Sequence, residues 1–195
     1  MNDSVSGLIL AGGQGQRLGG RDKGLVSIKA QPMVAAVISR FAPQVNNQLA
    51  ISANRNLATY QQFGYPVLHD RSAHFDGPLA GIQTGLHWCP SDYLAVVPCD
   101  SPLLPHDLVS KLSSALGHGD NNVAMATVAG KRQPVFALLK VSLAASLDKF
   151  LASGERKIGK WYDAENLVCV EFEQNIAFSN INTEDDLAEI EALVE

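Results

Sequence analysis

Residues 10–24 read LAGGQGQRLGGRDKG: Leu10 and Ala11, then six glycines and three cations (Arg17, Arg21, Lys23) offset only by Asp22. An apolar run at 5–11 leads straight into this stretch, and Pro32 opens a segment of helical period behind it. A buried strand, a glycine-rich loop and a helix, in that order, present backbone N–H groups to an anion. The first amides of a helix lack internal partners, and glycine lets the backbone approach closely. The unit therefore predicts an α/β domain that begins with an anion-binding turn.

The loop fits neither named phosphate motif. A P-loop needs G-x-x-x-x-G-K-[ST], whereas Lys23 is followed by Gly24. Gly13, Gly15 and Gly19 give G-x-G-x-x-x-G, which departs from the dinucleotide fingerprint, and the acid expected about 20 positions later on the ribose is missing. A turn-rich surface loop with solvated cations would share this composition. Six glycines and three cations after a first buried strand favour a polyphosphate, which needs both neutralisation and close backbone approach.

Outward from the loop, short apolar runs alternate with helical periods. Val34, Val37, Ile38 and Phe41 share one helix face behind Pro32. Strands are predicted at 48–53, 66–69, 93–97, 123–128 and 134–139, and helices at 57–63, 78–88, 105–116 and 142–152. The helix at 78–88 carries two glycines, which suits close packing on a sheet. Thr183 followed by Asp186 forms a capping box for a last helix, with Leu187, Ile190 and Val194 on its buried face. The alternation predicts a single Rossmann-like layered domain over 1–195 with a mostly parallel sheet.

Composition narrows the class. A net charge of −5, 46% hydrophobic residues and no long basic stripe argue against a nucleic-acid binder. Cys89, Cys99 and Cys169 lie far apart and form no C-x-x-C pair, which points to reduced thiols rather than a disulfide or zinc framework. The first residues, MNDSVSG, lack the positive region of a secretion signal, and no run approaches the roughly 20 apolar residues of a membrane span. A soluble cytoplasmic protein, with no nucleic-acid or membrane partner, is expected.

Ligands in open α/β sheets bind outside the carboxyl ends of the strands. Two such ends carry an acid: Asp70 after Val67-Leu68-His69, and Asp100 within PCDSPLLP, where prolines stiffen the chain. A carboxylate there, facing a phosphate loop, suits Mg2+, a hard ion that takes oxygen ligands. A turn or helix-cap aspartate is the alternative for either one.

These motifs together resemble the molybdenum cofactor guanylyltransferases, within the wider nucleotidyltransferase group whose signature begins L-A-[GA]-G-x-x-x-R-[ML]-G. The pattern runs through LAGGQGQRLGGRDKGL, ANR at 53–55, HD at 69–70, GPLAGI at 77–82 and PCDSPLLP at 98–105. It continues through QP at 133–134, GERK at 154–157 and NINTEDDL at 180–187, covering nearly the whole chain. The resemblance implies a nucleotidyltransferase-type Rossmann fold and transfer of GMP from GTP to the terminal phosphate of molybdopterin, releasing pyrophosphate.

It further implies that Leu10, Ala11, Gly12 and Gly13 meet the nucleotide, that Arg17, Gly20 and Lys23 handle phosphate, and that Asp70 serves the guanosine site. Asp100 would hold Mg2+ while touching GTP, and Asn180 and Asn182 would lie near the metal and the pterin ligand. Proteins of cofactor synthesis or molybdoenzyme maturation are the expected passing contacts. Where the family often has asparagine before ANR, this chain has Ser52, whose single hydroxyl cannot make a two-point contact to a base. Either Asn54 takes that role or backbone holds the base.

The proposed nucleophile is a phosphate monoester with a second pKa of about 6, so it needs no general base. His69, His74, His87, His106 and His118 are scattered and read as structural or surface residues. Arg156 and Lys157 in GERK could receive the pterin phosphate, or form a solvated helix start. Cytidylyl transfer to molybdopterin, nucleotidyl transfer to a sugar or alcohol phosphate, and a non-catalytic nucleotide-binding module are the competing readings.

Overall fold

The computed structural model describes residues 4–12, 22–70, 77–117, 120–173, 175–181 and 183–191. In chain order, β1 (Val5–Leu10) is followed by a small hairpin, β2 (Ser27–Ile28) and β3 (Gln31–Pro32), and by α1 (Met33–Phe41). Then come β4 (Leu49–Ser52), α2 (Leu57–Gln61), β5 (Val67–Leu68), α3 (Pro78–Trp88), β6 (Tyr93–Pro98) and α4 (Leu108–Leu116). The last part holds β7 (Val123–Val128), β8 (Lys131–Lys140), α5 (Ala144–Ala152), α6 (Ile158–Ala164), β9 (Leu167–Phe172) and α7 (Glu184–Glu191).

The main sheet has seven strands in the order β5-β4-β1-β6-β8-β7-β9. Only β8 runs against the rest: it is antiparallel to both β6 and β7, while the remaining pairings are parallel. The mostly parallel α/β architecture predicted from the sequence is therefore present.

Its central strands are covered on both faces, as parallel strands require. Along β1, Leu8 packs with α3 and α5 residues such as Leu79, Ile82 and Leu147, whereas Ile9 packs with Val37 and Phe41 of α1 and Leu112 of α4. A third, smaller cluster joins Ile28 and Met33 to Ile181 and Ile190, so α7 is seated on the β2–β3 hairpin.

The two glycines of α3 have the packing role the sequence suggests. A Cβ on Gly81 would lie 2.7 Å from both Leu10 Cδ2 and Ser52 Oγ, and one on Gly85 would lie 2.5 Å from Leu8 Cδ2. The capping box is formed as well: the Thr183 amide donates to Asp186 Oδ2 (2.9 Å) and the Asp186 amide to Thr183 Oγ1 (3.1 Å). Of its predicted buried face, Ile190 is enclosed and Leu187 half-buried, while Val194 lies outside the described residues.

Several boundaries shift. The predicted helix at 105–116 begins only at Leu108, and β8 extends the strand predicted at 134–139 at both ends. Pro134 is tolerated inside β8 because the register slips there: Met125 pairs with Ala137, but Ala126 pairs with Gln133. A proline has no amide for a ladder, and a bulge removes the need for one. The hairpin and β9 have no counterpart in the sequence reading, while α6 begins directly after GERK, where a solvated helix start is the alternative.

Candidate active site

β1, β4 and β6 end side by side, and the chain leaves β1 with β4 on one flank and β6 on the other. This is the crevice position where open α/β sheets take ligands. The ends are tied together by backbone: the Ala11 amide donates to the Ser52 carbonyl (2.7 Å) and the Cys99 amide to the Leu10 carbonyl (3.0 Å). Leu10, Ala11 and Gly12 therefore sit between Ser52–Asn54 and Pro98–Asp100. A side chain at position 12 would crowd Asn54, whose Nδ2 lies 3.2 Å from an ideal Cβ on Gly12.

The structure joins two of the predicted site residues directly. Lys23 Nζ donates to Asp100 Oδ2 at 3.0 Å, and both side chains are largely enclosed, at 20% and 13% exposure. Lys23 opens a 3-10 turn, Lys23–Leu25, that brings the chain back from the glycine loop to the β6 end. Beneath the pair lies Cys99, buried and with its thiol held well above the ordinary range, chiefly by burial and then by the charge of Asp100. A neutral thiol adds no charge of its own beside Lys23 and Asp100.

A second pair forms on the β4 side. Asn54 Nδ2 donates to Asp70 Oδ2 at 2.7 Å, and the Asp70 amide donates to Asn54 Oδ1 at 3.0 Å. Both residues are half-buried. Ser52, by contrast, is 2% exposed, with its hydroxyl turned under Gly81 of α3. Of the two residues considered for the base, Asn54 is the one presented beside Asp70.

The carboxyl-terminal segment docks on the same edge. The Ile181 amide donates to the Asp100 carbonyl (3.0 Å), and Ser101 Oγ donates to Asn180 Oδ1 (2.7 Å). Asn180 is thus brought against the Asp100 loop. Asn182, Gly13, Arg17 and Gly20 lie outside the described residues, as do His74 and His118.

GERK follows α5, the helix after the reversed strand β8. The helix packs on α3, with Gln83 Nε2 on Asp148 Oδ1 (2.6 Å) and His87 on Asp148 Oδ2 (3.0 Å). That bond gives His87 a structural role. Arg156 is partly engaged in closing α5, since its Nη1 donates to the Leu151 carbonyl at 2.8 Å. Lys157 is exposed at the N-cap of α6.

Sequence reasoning missed Tyr60 and Asn56. Tyr60 Oη donates to Asp22 Oδ1 (2.6 Å) and Asn56 Nδ2 to Asp22 Oδ2 (3.0 Å), so the one acid of the cationic loop is gripped from the β4 side. The only available signal was Asp22 itself, an acid in a stretch suited to anions.

The MobA-like NTP transferase domain model matches residues 7–167. The chain belongs to this family. The MobA-like chain is 46% identical to the molybdenum cofactor guanylyltransferase of Shewanella piezotolerans, over 94% of its own length and 90% of that protein. It is also 46% identical to the enzyme of the same name from Bordetella petrii, over 97% and 96% of the two chains. Among solved structures, the molybdopterin-guanine dinucleotide biosynthesis protein A of Archaeoglobus fulgidus superposes on this MobA-like fold with a TM-score of 0.80 at 23% identity, covering 96% of this chain and 97% of that one. Among the described residues, no helix of the MobA-like chain is long and apolar enough to cross a membrane.

Proposed function

We propose that this chain is a cytoplasmic molybdenum cofactor guanylyltransferase, which transfers GMP from GTP to the terminal phosphate of molybdopterin and releases pyrophosphate. The observation that carries the reading is the Lys23–Asp100 pair at the crevice, beside Asn54–Asp70, in a chain so similar to enzymes of that name.

The reaction forms a bond from a phosphate oxygen of the acceptor to the α-phosphorus of GTP and breaks the bond to the leaving pyrophosphate. The acceptor oxygen is already anionic near neutral pH, so the protein's task is alignment and charge neutralisation. Asn54 and Asp70 form the base side, and Leu10 to Gly13 line the nucleotide. Lys23 and Arg17 offset charge growing on the pyrophosphate, and Gly20 gives its backbone close access.

Asp100 fits Mg2+: a single enclosed carboxylate at a strand end is the donor that this ion takes together with substrate phosphates and water. Bound there, magnesium would neutralise the triphosphate oxygens. Lys23 then has a choice between Asp100 and phosphate, which suits a cation that must follow the charge of its ligand. Asn180, against the Asp100 loop, and Asn182 border the metal and pterin side. Arg156 and Lys157 are the candidate cations for the acceptor phosphate.

Lys23→Ala or Asp100→Ala should lower GMP transfer by about a hundredfold or more. The thermal transition should move by less than about 4 °C, since neither side chain is part of the apolar core. Transfer at the wild-type rate in both variants would remove the assignment.

A further inference from the structure

Asp22 is an anomaly in a loop suited to anions, and its surroundings show that it is not offered to a ligand. Each carboxylate oxygen already has a donor, Tyr60 Oη at 2.6 Å and Asn56 Nδ2 at 3.0 Å. Both Asp22 and Asn56 stand at N-cap positions, where such side chains ordinarily cap their own helices. Neither does so here: the 3-10 turn at Lys23 and helix α2 both start without a side-chain cap, and the two residues bond each other instead.

The grip is rigid. Tyr60 has no exposed surface, and burial is the main reason its hydroxyl stays protonated, and so a donor, far above the ordinary range. Gly24 passes directly beneath it, where a Cβ would come within 2.5 Å of Tyr60 Oη and 3.3 Å of Cys99 Sγ. The turn is closed by its own backbone, Leu25 amide to Asp22 carbonyl (3.0 Å) and Val26 amide to Lys23 carbonyl (3.1 Å). Lys23 thus starts from a backbone fixed on one side by Asp22 and on the other by Gly24.

We propose that Tyr60 and Asn56 are positioning residues that act through Asp22 to aim Lys23 at the triphosphate. The same loop and helix carry Asn54, so one segment would set both the base side and the phosphate side. The inference rests on the nucleotidyltransferase reading above.

The test is calorimetric titration of GTP into the wild type, Tyr60→Phe, Asn56→Ala, Lys23→Ala and the Tyr60→Phe/Lys23→Ala double variant. Tyr60→Phe keeps the buried ring, and Asn56 is exposed, so at least one of them should fold normally. Each should weaken GTP binding by about tenfold, the effect of losing a hydrogen bond to a charged group on an aimed cation. In the Lys23→Ala background, Tyr60→Phe should add less than about a twofold loss, because its target is gone. Unaltered GTP affinity in Lys23→Ala overturns the nucleotidyltransferase site and this inference with it. A weakened Lys23→Ala with unaltered Tyr60→Phe and Asn56→Ala overturns the inference alone. So does a double variant whose losses multiply.

Discussion

At the scale of single residues, the site is a set of pairs rather than a set of isolated groups. Lys23 answers Asp100, Asn54 answers Asp70, and Asp22 is held by Tyr60 and Asn56. The distinction between Ser52 and Asn54 follows from where β4 ends: Ser52 is its last residue, packed under α3, and Asn54 lies beyond the strand end. Asn54→Ala should therefore cut the preference for GTP over ATP by about tenfold, through loss of the partner that orients Asp70. Ser52→Ala should leave that preference within about twofold. Competition titration with the two nucleotides reads both; a reversed ranking would return the base contact to Ser52. Lys23, Asp70 and Asp100 were legible in the sequence because their residue types state their chemistry. Tyr60 was not, because an aromatic in a short helical segment looks like core until its hydroxyl partner is known.

At the scale of elements, glycine reports on packing distance. Gly→Ala in a helix gains roughly 1 kcal/mol of propensity, and overpacking a core costs about 1–3 kcal/mol. At Gly85 the second term wins, since a Cβ would stand 2.5 Å from Leu8 and 3.1 Å from Leu94. At Gly159 in α6 nothing lies within 4 Å of the added atom, so the first term stands alone. Gly85→Ala should lower the melting temperature and Gly159→Ala should raise it by up to about 4 °C. Equal shifts in a thermal melt would contradict the close seating of α3. The elements that escaped sequence reading did so for physical reasons. The β2–β3 turn uses Lys29 and Ala30 at φ 44° and 68°, where two-residue hairpins ordinarily advertise themselves with Asn-Gly. Helix α6 spans only seven residues, so GERK hints at its start but no period marks its length. β9 is an edge strand, and most of its side chains are only partly buried or exposed.

At the scale of the whole molecule, the sheet order accounts for how motifs distant in sequence meet. β1 brings Leu10–Gly12 between β4 with ANR and β6 with PCD, and the segment before α7 returns Asn180 and Ile181 to the Asp100 loop. The chain is acidic overall, with a net charge of −5, yet its sequence sets Arg17, Arg21 and Lys23 within seven residues. The central claim is guanylyl transfer to molybdopterin, and the direct measurement is the mass of the product formed from GTP, magnesium and molybdopterin-bearing cofactor. The account predicts a cofactor heavier by one GMP unit, with pyrophosphate released only when the acceptor is present. GTP left intact, or a product that forms from CTP instead, would contradict it.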